Sequence, residues 1–115
     1  MASQTIDGVT YAYVAPAERQ QRISGYAKLR VGDTREEVRA LLGAPDLANA
    51  IHERQSDKFA GWHYIYVYRT VHPDKRWADS KDQLVQVFFD PSGDRLTWAH
   101  TNNIPDLSEV GSQPP

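Results

Sequence analysis

The chain has 115 residues, with 13 basic and 15 acidic side chains for a formal net charge of -2, 40% hydrophobic residues and no cysteine. That length fits one domain with a single modest core. Balanced, scattered charge supplies no one-signed field to gather nucleic acid or anionic lipid, and the absence of Cys removes disulfides, thiolate metal ligands and Cys nucleophiles while leaving the redox compartment open.

Residues 1–15 begin polar and then alternate in VTYAYV, which places Val9, Tyr11 and Tyr13 on one face if extended. A flexible, loosely docked tail is the first reading and an added edge strand the second. Pro16 suits a first helical position, AERQQRIS consists of fair helix formers, and Gly25 is a natural terminator, so a short helix is expected over 16–24. The next segment, VGDTREEVRALLGAPD, is punctuated at both ends. Thr34 and Glu37 have capping-box spacing, Val38, Leu41 and Leu42 share one helical side, and Gly43 and Pro45 stop the helix. Arg35, Glu36 and Arg39 are expected to face water. So short a helix does not hold alone in water and must dock its apolar stripe on something.

Strand propensity supplies the partner. After a linker come WHYIYVY, LVQVFFD and RLTWAHT, with DPSGD reading as a tight turn between the last two, so three strands form an antiparallel meander. The class expected is α+β, two short helices on a three-stranded antiparallel sheet, over residues 16–107. The loop at 70–82 is expected to be exposed, and 108–115 to be a disordered tail. Pleating puts Trp62, Tyr64, Tyr66 and Tyr68 under the helices, with Val85, Val87, Phe89, Leu96 and Trp98, and sends Thr97 and Ala99 outward. The outer face then carries His63, Ile65, Val67, Arg69, Leu84, Gln86 and Phe88. An apolar patch with a polar rim on a small domain marks a protein-binding surface, and these seven residues are the candidate partner-binding set.

GYAKLRVGDTREEVRALLGAPD, then WHYIYVYR and LVQVFFDPSGDRL, together resemble the SmpA/OmlA domain of BamE-like small outer-membrane lipoproteins. The similarity covers residues 19–98, with Asp33 where the family commonly has Met, and Arg69 matching the Arg that closes its aromatic strand. The helix and turn also occur in beta-lactamase-inhibitor-like folds. What the resemblance implies is two helices on a three-stranded sheet, a non-enzymatic scaffolding role in outer-membrane protein assembly or envelope integrity, an envelope protein as partner, and membrane attachment only through a lipid anchor, whose Cys this chain lacks. The implied place is the periplasmic face of the outer membrane, if a targeting segment was removed. The first 30 residues contain no basic segment followed by an apolar run, and an unprocessed start at Met1 would instead mean the cytoplasm.

No catalytic set is evident. HPDK at 72–75 looks like the J-domain tripeptide but follows a strand instead of sitting between long helices, so it reads as a turn. His52, His63, His72 and His100 lack metal-ligand spacing, and no serine lies in a nucleophile elbow. No cofactor, metal or nucleic acid is expected. The alternative to the envelope scaffold is a soluble inhibitor or regulator on the same fold that binds an enzyme through the 70–82 loop.

Overall fold

The computed structural model describes residues 2–70 and 81–112. The HPDK segment and Trp77 lie outside the described residues, as does most of the 70–82 loop. Within them the order is β1 (Ala2–Ile6), β2 (Val9–Tyr13), α1 (Pro16–Tyr26), α2 (Arg35–Leu42), β3 (Leu47–His52), β4 (Phe59–Thr70), β5 (Gln83–Phe89), β6 (Leu96–Asn102) and β7 (Val110–Gly111). The α+β class, the two helices and the β4–β5–β6 meander are those expected, but the antiparallel sheet has seven strands instead of three.

The additions all lengthen the edges. Residues 1–15 contribute the β1–β2 hairpin, turned at Asp7 and Gly8 with φ of 49° and 79°, and β2 pairs with β4 through Ala12 and Tyr13 among the described residues. The presumed linker supplies β3, which runs along the other half of the same β4 edge, from Leu47 opposite Ile65 to His52 opposite Phe59. In the segment expected to be a disordered tail, Val110 and Gly111 pair with Ala99 and Trp98.

α2 forms as its local chemistry dictates. The Thr34 hydroxyl accepts from Glu37 N–H at 3.1 Å and the Glu37 carboxylate accepts from Thr34 N–H at 3.4 Å. Gly43 closes the helix at φ 85°, where a side chain would be strained. α1 runs past its expected end, because Gly25 is a contact and not a stop. A Cβ there would lie 2.1 Å from the Leu41 carbonyl oxygen, so only Gly lets α1 and α2 approach this closely.

Val38 and Leu42 from α2 and Tyr26 and Leu29 around the end of α1 seal a core with Tyr64, Tyr66, Tyr68, Val85, Val87, Phe89, Leu96 and Ala99. Three of the core tyrosine hydroxyls are hydrogen-bonded within the protein. Tyr66 donates to Gly43 O at 2.9 Å and Tyr26 donates to Ser108 O at 2.7 Å, while Arg39 Nε donates to Tyr64 Oη at 3.2 Å. Burial pushes the Tyr26 phenol up to about 12, helped by nearby Glu109, and raises Tyr66 as well.

Where β2 and β3 stop short of each other along β4, side chains complete the edge. Val67 N–H donates to Asp46 Oδ2 at 2.7 Å, and the same carboxylate oxygen takes the buried Arg22 guanidinium at 2.8 Å. Arg22 also donates to Val67 O and lies over the Tyr66 ring. The Asp of LGAPD therefore fixes α1 to the sheet and satisfies backbone that would otherwise be unpaired.

Candidate functional site

The outer face of the sheet is arranged by two bulges. In the β5–β6 ladder Leu96 faces Phe89 and Trp98 faces Phe88, so Thr97 is an extra residue and the alternation inverts after it. Ala99, expected outside, is therefore sealed in the core, and Trp98, expected inside, stands on the outer face with His100. In the β4–β5 ladder Val67 faces Leu84 but Arg69 faces Gln83, which makes Tyr68 the extra residue. Arg69 consequently leaves the outer row. Its guanidinium lies 4.1 Å from the Tyr11 ring centre, on the hairpin face that Arg19 of α1 also covers, and it donates to Lys81 O at 3.1 Å.

The structure thus brings His63, Ile65, Val67, Gln86 and Phe88 together as expected, each half-buried, and places Leu84 beside Val67 but closed to solvent at 2% exposure. It adds Trp98, His100 and Asn102, which strict alternation missed in the first case and left unassigned in the others. Four rings form a column across three strands. His63 stacks on Phe88 at 4.3 Å, Phe88 on Trp98 at 4.8 Å and Trp98 on His100 at 4.1 Å, with interplanar angles of 7°, 20° and 19°. Rings stacked face to face across the strands turn edges, not faces, to solvent.

Beside the column runs a polar chain. His63 Nε2 bonds Gln86 Oε1 at 2.9 Å, and Gln86 Nε2 donates to Asn102 Oδ1 at 2.7 Å. With the amide so oriented, His63 carries its proton on Nε2. Burial holds the His63 imidazole below its usual 6.5, the Gln86 bond partly offsets this, and the neighbouring His100 adds to the lowering. Burial also lowers His100, against the Thr101 backbone and the Glu109 charge, which favour its cation. Trp98 Nε1 donates to Glu109, whose carboxylate is exposed at the border.

Extended to β3, whose Leu47, Asn49 and Ile51 share this side by register, the face carries no Lys, Arg, Asp or Glu on four strands. Charge is concentrated on the helix side. Arg35 lies over Trp62 at 4.6 Å and pairs with Asp94 at 3.1 Å, and Arg39 lies over Tyr64 at 5.2 Å. Arg39 is exposed, as expected, and Arg35 half-buried, and both also roof the aromatic row. Among the described residues no group of three or more His, Asp or Glu side chains is placed to hold a metal ion, and no helix is long and apolar enough to cross a membrane.

A family model described as "Outer membrane protein assembly factor BamE domain" matches residues 22–97. Among curated proteins, the chain is 32% identical over 85 residues to "Outer membrane protein assembly factor BamE" of Polynucleobacter necessarius subsp. necessarius (strain STIR1). The match covers 74% of this chain and 32% of that relative, so the chain spans about a third of the relative's length. No solved structure matches. The matched span opens at the buried Arg22, runs through the capped helix, LGAPD and the aromatic strand, and closes at the Thr97 bulge: the chain belongs to the outer membrane protein assembly factor BamE family.

Proposed function

We propose that this protein is a non-catalytic scaffold of the bacterial envelope, acting at the periplasmic face of the outer membrane by binding a protein component of the outer-membrane protein assembly machinery. The observation that carries the proposal is the outer sheet face, uncharged over four strands and built around the His63–Phe88–Trp98–His100 column. In a chain that is 24% charged, such a face suits desolvation against another protein, since its four strands carry no ion and the nearest, Glu109, stands at the border. Ile65, Phe88 and Trp98 are the apolar anchors, with His63, Gln86 and Asn102 supplying polar contacts. Val67 borders them, Leu84 lies beside Val67 but is closed to solvent, and Arg69 belongs to the opposite side.

Family membership supports the assembly role, and the stacked rings and Gln86 chain offer no nucleophile or base arranged for turnover. The inhibitor alternative depends on the 70–82 loop and gains nothing from the comparisons. The test is co-purification from envelope extract, followed by reconstitution with the purified assembly component. Ile65→Asp and Phe88→Asp should keep a native circular dichroism spectrum and lose capture of that component, whereas trimming the 70–82 loop should leave capture intact. Undiminished capture by both Asp variants would refute the assigned face.

A further inference from the structure

Among the described residues three buried side-chain polar atoms have no hydrogen-bond partner: Arg19 Nε, Tyr68 Oη and Arg69 Nε. All three can donate a proton, and all three belong to the corner where the β1–β2 hairpin, α1 and the end of β4 meet. Tyr68 and Arg69 are consecutive at the β4 bulge, and Arg69 pairs with Tyr13 of β2. The Arg19 guanidinium lies 5.8 Å from the Tyr13 ring centre and that of Arg69 lies 4.1 Å from Tyr11. Tyr11 and Tyr13 are two apart on one strand, so both cations sit on the same face of the hairpin. The Tyr68 side chain is closed to solvent at 1% exposure, and its hydroxyl lies within the field of Arg19 and Arg22.

Charge is also uncompensated here. Arg22 has Asp46 at 2.8 Å and Glu18 at 3.8 Å, and Arg35 has Asp94. Arg19 and Arg69 have no carboxylate within ion-pair distance among the described residues. Two guanidinium groups and a phenol thus each keep one unused donor sealed from bulk water, although Arg69 also donates through Nη2 to Lys81 O. A water molecule would answer the hydrogen bonds but bring no counter-charge to the two half-buried guanidinium groups. An oxyanion answers both, because charge-assisted bonds to guanidinium are the stronger kind and one anion offers several lone pairs.

We propose that the corner framed by Arg19, Tyr68 and Arg69 is a binding site for a small oxyanion of the phosphate or carboxylate type. The two guanidinium groups supply the charge, the Tyr11 and Tyr13 rings hold them in orientation from below, and the Tyr68 hydroxyl donates from the core side. This site is separate from the outer sheet face and stands or falls independently of it.

The test uses the full chain, titrated with inorganic phosphate or with acetate at an ionic strength fixed by chloride, and followed by amide resonances and thermal unfolding. The expected result is saturable movement of the Tyr13, Tyr68 and Arg69 amides with a rise in Tm, which chloride alone does not produce. Acetate matching phosphate assigns a carboxylate-type ligand, and a response to phosphate alone assigns a phosphate-type one. An Arg19→Gln/Arg69→Gln variant should lose at least about tenfold in affinity. Arg69→Lys, which keeps the cation and the fold but removes the fork, should bind more weakly than the parent. No saturable response up to about 50 mM phosphate, well beyond a millimolar dissociation constant, would overturn the proposal. So would an equal response from the double glutamine variant, since the ion would then be held elsewhere.

Discussion

β4 presents two faces from one run of residues, and they are held in different ways. Tyr64, Tyr66 and Tyr68 are at most 1% exposed, covered by helices, with two of their three hydroxyls hydrogen-bonded and arginines across the rings of Tyr64 and Tyr66. His63, Ile65 and Val67, one residue away in each case, are half-buried and owe their order to rings and amides on neighbouring strands. Stability is therefore concentrated on one face. The other is free to be shaped for contact, because its side chains hold one another in place and little else depends on them.

The sharpest way to break that asymmetry is to truncate one ring on each face. Tyr66→Ala removes a fully buried ring, its bond to Gly43 O and the surface on which Arg22 rests, and should cost roughly 3–5 kcal/mol in urea unfolding. Phe88→Ala opens part of a half-exposed column and should cost about half as much, in proportion to the smaller area returned to water. Equal losses would mean that the outer face is structural. Next in size is Gly25→Ala. Its new Cβ would meet the Leu41 carbonyl, forcing α1 and α2 apart at a cost of about 1–3 kcal/mol. This change touches only the helix layer, so the outer-face resonances of Gln86 and Asn102 should stay where they are. Thr34→Ala follows at about 1 kcal/mol, with Thr34→Ser nearly neutral because the hydroxyl that accepts from Glu37 N–H is kept.

What could be read from the residues divides along similar physical lines. α2 was legible from end to end, since its Thr34 and Glu37 caps and its Gly43 stop act within a few residues of one another. The meander was legible because its strands are dense in β-branched and aromatic residues. β3 was not, for LANAIH lies at an edge with Ala48, Asn49 and Ala50 exposed, and an edge strand needs little apolar content. The β1–β2 hairpin carried a usable signal in Asp7-Gly8 between Ile6 and Val9, the residues that a tight two-residue turn favours. On the candidate site, five of the seven chosen residues line one face and Leu84 is buried beside them, while the two bulges moved Arg69 off and Trp98 on. A single inserted residue reverses every later position in a strand, and nothing local in RLTWAHT distinguishes the bulged register from the regular one.

The smallest expected effect is a dependence on pH that belongs to the outer face alone. Both imidazoles in the column are held below the usual 6.5, chiefly by burial. In the unfolded chain they bind protons more readily than in the folded one. Their contribution to stability is therefore complete above about 6.5 and is lost as the pH falls toward the lower values of the folded state. Around His63 the facing groups are Gln86, Phe88 and, across the β3 register, Asn49, none of which offers a countercharge. His100 has Glu109 to favour its cation, so His63 should account for more of the loss. Urea midpoints at about pH 7.5 and 5.5 would show it, as the difference between the parent and a His63→Gln/His100→Gln variant, which cancels the carboxylates common to both. The parent should lose more stability on acidification than the variant. An identical loss in the two would mean that the column accepts protons without strain, and the outer face would then be open enough to hydrate its histidines.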